Sequence, residues 1–203
     1  MTRSRQPLFD YHRAQYVKSV LELSQLPPDK GWEVAFIGRS NAGKSSAINA
    51  ITGIRGLART SSTPGHTQMI NLFRLDQDRR LVDLPGYGYA RAPRTIKERW
   101  QQSIDDYLES RHCLRGLILV MDIRHPLKPS DQQLIAWSIQ CEVPVHLLLT
   151  KADKLTPAES RKILKEVNTI LEPYGSTLSA QIFSALQPQG IESAQACLDR
   201  WFN

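Results

Sequence analysis

The sequence predicts an α/β fold in which a mostly parallel sheet with one antiparallel edge strand carries helices on both faces. Three observations predict it. From residue 33 onward short apolar segments alternate with amphipathic ones, the pattern of strands buried beneath helices. Two strand-like segments are separated only by Asp76-Gln77-Asp78, a polar turn short enough only for an antiparallel hairpin. A glycine-rich loop containing a lysine joins the first apolar segment directly to the first amphipathic one.

Taken in order, Glu33 to Gly38 (EVAFIG) reads as a buried strand, followed by a helix from Gly43 to about Thr52. The hairpin comes next, with strands at Met69 to Leu75 and Arg79 to Leu84, and then a helix from Thr95 to about Ser110. A strand at Gly116 to Asp122 leads to a helix at Ser130 to about Gln140, with Ser130 as N-cap and Gln133 three residues later. The strand at Val143 to Thr150 precedes a helix at Pro157 to about Leu171. Its start is signalled by Thr156 as N-cap, Pro157 in the first helical position and Glu159 three residues after the cap. A short strand at Gln181 to Ser184 and a helix from Ile191 to about Phe202 complete the pattern. Residues 1–30 end in Pro27-Pro28 and lack a clear period; they are expected as an extension packed on a domain at 31–203.

A chain of 203 residues buries roughly 70% of the surface its unfolded form exposes, so no disulfide is needed to hold it. Cys113, Cys141 and Cys197 are odd in number and far apart, without a C-x-x-C or a Cys/His ligand spacing. That argues against structural zinc and for a reducing compartment. The longest apolar run, Leu117 to Met121, is too short to span a bilayer, and Met1 to Pro7 lacks the apolar stretch of a signal peptide. The expected location is the cytoplasm, with no membrane partner. The net charge of +6 favours polyanions, and its distribution is uneven. No acidic residue lies between Glu33 and Asp76, where Arg39, Lys44, Arg55, Arg59 and Arg74 all fall. A second cluster, Arg91, Arg94, Lys97 and Arg99, is opposed locally only by Glu98; it is either a solvated helix face or a contact for nucleic acid.

Gly38-Arg39-Ser40-Asn41-Ala42-Gly43-Lys44-Ser45 matches G-x-x-x-x-G-K-[ST] in the context that motif needs, after an apolar strand and before a helix. Glycines there let backbone N–H groups approach phosphates, Lys44 reaches the β and γ oxygens, and Ser45 ligates Mg²⁺. The implied ligand is a nucleoside triphosphate. Asp83-Leu84-Pro85-Gly86 ends the hairpin's second strand, where a carboxylate can hold the metal's water shell and the Gly86 N–H can meet the γ-phosphate. Thr67, in Thr63-Pro64-Gly65-His66-Thr67, is a further metal ligand candidate available only when the γ-phosphate orders its loop, with Thr63 as its competitor.

Thr150-Lys151-Ala152-Asp153, at the end of another strand, matches the [NT]-K-x-D pattern. Asp153 can accept from guanine N1–H and the 2-amino group together, whereas adenine offers neither donor. The Lys151 stem can cover the base, and Ser184-Ala185 would bring a backbone N–H to guanine O6. A P-loop ATPase or small-molecule kinase would need a lid and an acceptor site, and Lys151 and Asp153 argue against it.

With these residues in order the chain resembles the Era-like branch of the TRAFAC, or translation-factor, GTPases, and within it the EngB (YihA/YsxC) family. The resemblance runs along nearly the whole chain and rests on GRSNAGKSS at 38–46 (through Ser46), TPGHTQ at 63–68, DLPGYGYA at 83–90, TKAD at 150–153 and FSA at 183–185. His66 departs from the basic residue expected before the threonine. The resemblance implies a single, monomeric Ras-like P-loop GTPase domain that binds GTP and GDP with Mg²⁺. It also implies work on the precursor of the large ribosomal subunit and its rRNA rather than on DNA, and a requirement for normal cell division and septation; Tyr87, where Ras-type enzymes carry a water-orienting glutamine, predicts slow intrinsic hydrolysis. Catalytic roles are implied for Lys44, Thr67 and Gly86, and Asn41 would be a K⁺ ligand as in potassium-activated relatives, or else a residue that stabilises the loop's own turn. The alternative is a GTP-dependent scaffold for a cell-division complex, with hydrolysis incidental; a tRNA-modifying GTPase would need a further domain.

Overall fold

The computed structural model describes residues 7–59, 69–87, 102 and 104–203. Among these, seven strands form one sheet: β1 (Gln15–Val20), β2 (Trp32–Gly38), β3 (Ile70–Arg74), β4 (Arg79–Asp83), β5 (Leu114–Asp122), β6 (Val145–Thr150) and β7 (Leu178–Ile182). Their order is β1-β3-β4-β2-β5-β6-β7. Parallel pairing joins β4, β2, β5, β6 and β7, while β3 runs antiparallel to β4 and to β1. The helices are α1 (Lys44–Thr52), α2 (residues 104–110), α3 (Pro129–Gln140), α4 (Pro157–Leu171) and α5 (Ile191–Phe202).

The central strands read as continuous apolar runs because both their faces are buried. Val34 and Phe36 of β2 join Ile118 and Val120 of β5 beneath Ile48 and Ile51 of α1 and Leu198 and Phe202 of α5. The alternate residues, Ala35, Ile37, Leu117, Leu119 and Met121, face Tyr107 and Leu108 of α2, Leu134 of α3, and Val167 and Leu171 of α4. The fold class is the one expected. The C-termini of β2, β4, β5 and β6 share one edge of the sheet, where an open parallel sheet binds its ligands.

Three local details differ from the sequence expectation. Residues 15–20, given no element there, form the edge strand β1. Their apolar pattern is broken because Tyr16 and Val17 are exposed and the register shifts between Tyr16 and Lys18, a bulge at an edge. The segment before β1 is tied to α5: the Tyr11 hydroxyl donates to Asp199 Oδ1 at 2.8 Å and the Leu8 N–H to Asp199 Oδ2 at 2.8 Å. The last strand starts at Leu178 and ends at Ile182, so Phe183 and Ser184 follow it rather than belong to it. Helix α3 begins at Pro129 with Lys128 as its cap, not Ser130: Asp131 Oδ2 accepts from the Lys128 N–H at 2.9 Å. Thr156 caps α4 as expected, with Pro157 first and Glu159 returning a bond to the Thr156 N–H at 2.8 Å. Of the helix expected from Thr95, 104–110 is helical and the earlier part lies outside the described residues, apart from a helical residue at 102.

At the opposite end of β2 from the glycine-rich loop, Glu33 is fully buried. Arg111 donates to both its oxygens (2.8 and 3.0 Å), the Tyr107 hydroxyl to Oε2 (2.9 Å) and Arg80 to Oε1 (2.8 Å). Burial alone would raise this carboxyl; Arg111 first, then Arg80 and Tyr107, outweigh it and hold the group below its ordinary range.

Candidate functional site

β2 leaves the core at Gly38, packed so closely against Val120 of β5 that a Cβ would collide with the Val120 carbonyl oxygen. The chain then turns tightly, with the Ala42 N–H on the Arg39 carbonyl at 3.0 Å. Asn41 and Gly43 both adopt positive φ, 64° and 95°. Such alternation of hand makes a concave run of backbone N–H groups, a nest for anions, and it opens onto the N-terminus of α1. Lys44 and Ser45 start that helix, with Lys44 9% exposed and Ser46 at the surface.

Lys44 Nζ is paired with Asp83 Oδ1, so the loop's cation and the carboxylate ending β4 share one point. Asp83 is 2% exposed, and its Oδ2 accepts from Asn71 Nδ2 at 3.4 Å. Leu84 and Pro85 follow, buried, and Gly86 stands against the loop, where a Cβ would lie 3.3 Å from the Gly38 carbonyl oxygen. Tyr87 then zips onto the loop: its N–H donates to the Gly38 carbonyl at 3.2 Å and its carbonyl accepts from the Ser40 N–H at 2.9 Å. The Tyr87 phenol donates to Asp131 Oδ1 at 2.6 Å, on the carboxylate that caps α3. Burial, with the Asp131 charge, pushes the phenol far above its usual range. Gly65, His66, Thr67 and the cluster Arg91, Arg94, Lys97 and Arg99 lie outside the described residues.

The Thr150-Lys151-Ala152-Asp153 segment is locked to the same loop. The Thr150 hydroxyl lies between the carbonyl oxygens of Ala42 and Met121, and Lys151, at φ 60°, sends its ammonium to the Asn41 carbonyl at 2.7 Å and to Asp122 Oδ2 at 3.1 Å. Arg124 holds both oxygens of Asp122 at 2.9 and 2.7 Å. Burial would raise the Asp122 carboxyl, but these donors overcome it and hold it far below the ordinary range. Asp153 Oδ1 accepts from the Ser184 hydroxyl at 2.7 Å, the main cause of its lowered pKa, and its side chain is only 5% exposed. Ala152 N–H bonds to the Phe183 carbonyl at 3.2 Å, and the Ser184 N–H is engaged by the Gln189 carbonyl at 3.1 Å.

The structure therefore brings the 38–46, 83–86, 150–153 and 183–185 residues to one edge. It adds partners that motif reading missed: Asn71, Asp122, Arg124 and Asp131. The first three act through charged or amide groups that carry no motif of their own. Asp131 had a visible signal, an acidic residue two places after Pro129 at a helix start. Among the described residues no group of three or more His, Cys, Asp or Glu could hold a metal ion on its own. A hydroxyl at Ser45 and a carboxylate at Asp83 are nonetheless the hard oxygen donors that suit Mg²⁺ completed by water and phosphate.

A phosphate nest, a paired lysine and carboxylate, and a carboxylate poised for a base, at the carboxyl edge of a Ras-like sheet, define a P-loop GTPase. The family model described as "50S ribosome-binding GTPase" matches residues 33–151. The GTP-binding protein EngB of Coxiella burnetii is 55% identical over 192 residues, covering 95% of this chain and 94% of its own. The Enterobacter EngB is 50% identical over 195 residues, covering 96% and 94%. The chain belongs to the EngB family of GTP-binding proteins. A crystal structure of an EngB protein shares the fold with TM-score 0.67 at 21% identity, covering 84% of this chain and 98% of that one. The structure of Era bound to MgGDPNP and a 16S rRNA fragment follows at TM-score 0.65 and 18% identity, covering 85% and 57%. No helix among the described residues is long and apolar enough to cross a membrane.

Proposed function

We propose that the chain is a slow, Mg²⁺-dependent GTPase switch in the cytoplasm that assists late assembly of the large ribosomal subunit, and through it normal division and septation. The observation that supports the nucleotide half is the set of bonds from Thr150 and Lys151 to the 38–45 loop, which ties the segment carrying Asp153 to the candidate anion nest. The 31–203 unit carries the site, and β1, within the extension at 1–30, adds the edge strand to its sheet.

In this reading the backbone N–H groups of 41–45 and Lys44 hold the β and γ oxygens, and Gly86 N–H meets the γ-phosphate. Ser45, Thr67 and Asp83 hold Mg²⁺, which supplies positive charge at those oxygens. Asp153 reads N1–H and the 2-amino group. Since the Ser184 N–H is engaged by Gln189, the contact to O6 falls to the Ala185 N–H. Tyr87 stands where other enzymes of this fold carry a glutamine that orients the attacking water. Its phenol is committed to Asp131, so it orients no water and intrinsic turnover is slow.

Asn41 is exposed and its backbone carbonyl accepts from Lys151; among the described residues its side-chain amide has no hydrogen bond, and its oxygen is the group proposed to hold a monovalent cation beside the β,γ bridge. Hydrolysis is expected to be faster in K⁺ than in Na⁺ at equal ionic strength, with the difference gone in Asn41→Ala. Equal parental rates in both salts overturn this role.

The partner is tested by sedimentation. The GTP-bound protein is expected to travel with large-subunit precursors and not with a division complex. Neutralising Arg91, Arg94, Lys97 and Arg99 together should lower the salt slope of binding by up to about four phosphate contacts while GTP affinity holds. Co-sedimentation with a division complex instead favours the scaffold, and an unchanged slope returns the cluster to a solvated face.

A further inference from the structure

Three polar residues stand side by side across the sheet. Ser19 of β1 is the register partner of Asn71 in β3, and Asn71 is the register partner of Asp83 in β4. All three project to the α1 side, the side of Phe36 and Phe73, where the row meets Lys44. The hydrogen bonds run in one direction along it. The Ser19 hydroxyl donates to Asn71 Oδ1 at 2.6 Å, and Asn71 Nδ2 donates to Asp83 Oδ2 at 3.4 Å. With the Ser19 proton committed, the Tyr16 hydroxyl 2.9 Å away is the donor to Ser19 Oγ. The charge on Asp83 decides the amide's orientation: flipped, Asn71 would set its oxygen against a carboxylate oxygen.

We infer that Asn71 is a positioning residue for the metal-holding carboxylate Asp83, and that the N-terminal strand β1 sets it through Ser19. Among the described residues each Asp83 oxygen has one donor, Lys44 on Oδ1 and Asn71 on Oδ2. When Lys44 turns to the phosphates, Asn71 is the donor that stays, and it keeps the carboxylate from rotating. Aligned donors polarise one another, so loss of the distal hydroxyl weakens the bond at the carboxylate. The row begins at Tyr16, 57% exposed, so the edge strand and the phosphate site are joined by a continuous polar path.

The inference rests on the Mg²⁺-dependent reading above and is tested by release of fluorescent GDP across a titration of free Mg²⁺. In Asn71→Ala the Mg²⁺ concentration for half-maximal retention should rise by about tenfold, the effect of one hydrogen bond to a charged group. Ser19→Ala, at a half-buried edge position, should raise it by about threefold, and Ser19→Thr, which keeps the hydroxyl, should restore the parental value. In chelator all variants should release GDP at the parental rate. Thermal melts identify any variant that is not folded, and the two Ser19 variants then decide the matter. A parent with no Mg²⁺ dependence overturns the magnesium reading and this inference together. A parent with that dependence whose folded Asn71→Ala or Ser19→Ala variant keeps its midpoint overturns the positioning role alone.

Discussion

Replacing Asp153 by asparagine is expected to lower GTP affinity by about 10²- to 10⁴-fold, because the 2-amino group loses its acceptor and meets another donor while the bond from N1–H loses its charged acceptor. The same change should raise affinity for xanthosine triphosphate, whose 2-oxygen accepts from the new amide. Titrating both nucleotides against parent and variant measures the exchange. The carboxylate is ready for this role: its side chain is shielded, the Ser184 hydroxyl orients it, and its lowered pKa keeps it ionised. Undiminished GTP binding with no gain for the xanthine nucleotide would show that the base is read elsewhere.

Arg111→Ala should destabilise the fold by about 3–5 kcal/mol, because the fully buried Glu33 loses two charge-assisted hydrogen bonds and, among the described residues, keeps Arg80 as its one cation beside the Tyr107 hydroxyl. For a domain of this size that is a fall of roughly 10 °C in melting temperature. Adding Glu33→Gln should recover part of the loss by removing the stranded charge. Acid has a related effect on the parent. Unfolded, the Glu33 carboxyl takes up its proton near pH about 4.3, whereas the folded group, held lower, resists until the pH is lower still. Its stabilisation is therefore whole above the unfolded value and drains away as pH falls through the folded one. Denaturant midpoints measured between neutral pH and pH 3 should show this decline in the parent and a smaller one in Glu33→Gln. A loss under about 1 kcal/mol in Arg111→Ala would mean that water reaches Glu33.

The parts of this molecule that sequence alone revealed are those where chemistry or burial restricts residue type. A run such as GLILVMD has one physical interpretation because both faces of β5 are covered, and the phosphate nest needs Gly43 at a positive φ. β1 escaped because an edge strand with a bulge and two exposed apolar side chains has neither a continuous apolar run nor a clean alternation. The cap at Lys128 escaped for a different reason: the bond that closes it comes from Asp131, and Ser130 offers a better cap by residue preference than lysine does. Asn71 and Asp122 carry no local signal, since their importance arises only when β3 and β4, or β5 and β6, lie side by side.

On the proposed reading of the site, the Thr150 and Lys151 bonds to the phosphate loop make the nucleotide a chelate. Guanosine and the phosphate chain are two ends of one ligand, and the protein holds the matching half-sites at fixed spacing. Once either end is seated, the other meets its half-site at an effective concentration set by that spacing rather than by the solution. Guanosine alone and triphosphate alone each forgo this advantage, so their separate affinities fall well short of the affinity for the intact nucleotide. Specificity for the base is thereby converted into occupancy at the phosphates, some distance along the same ligand.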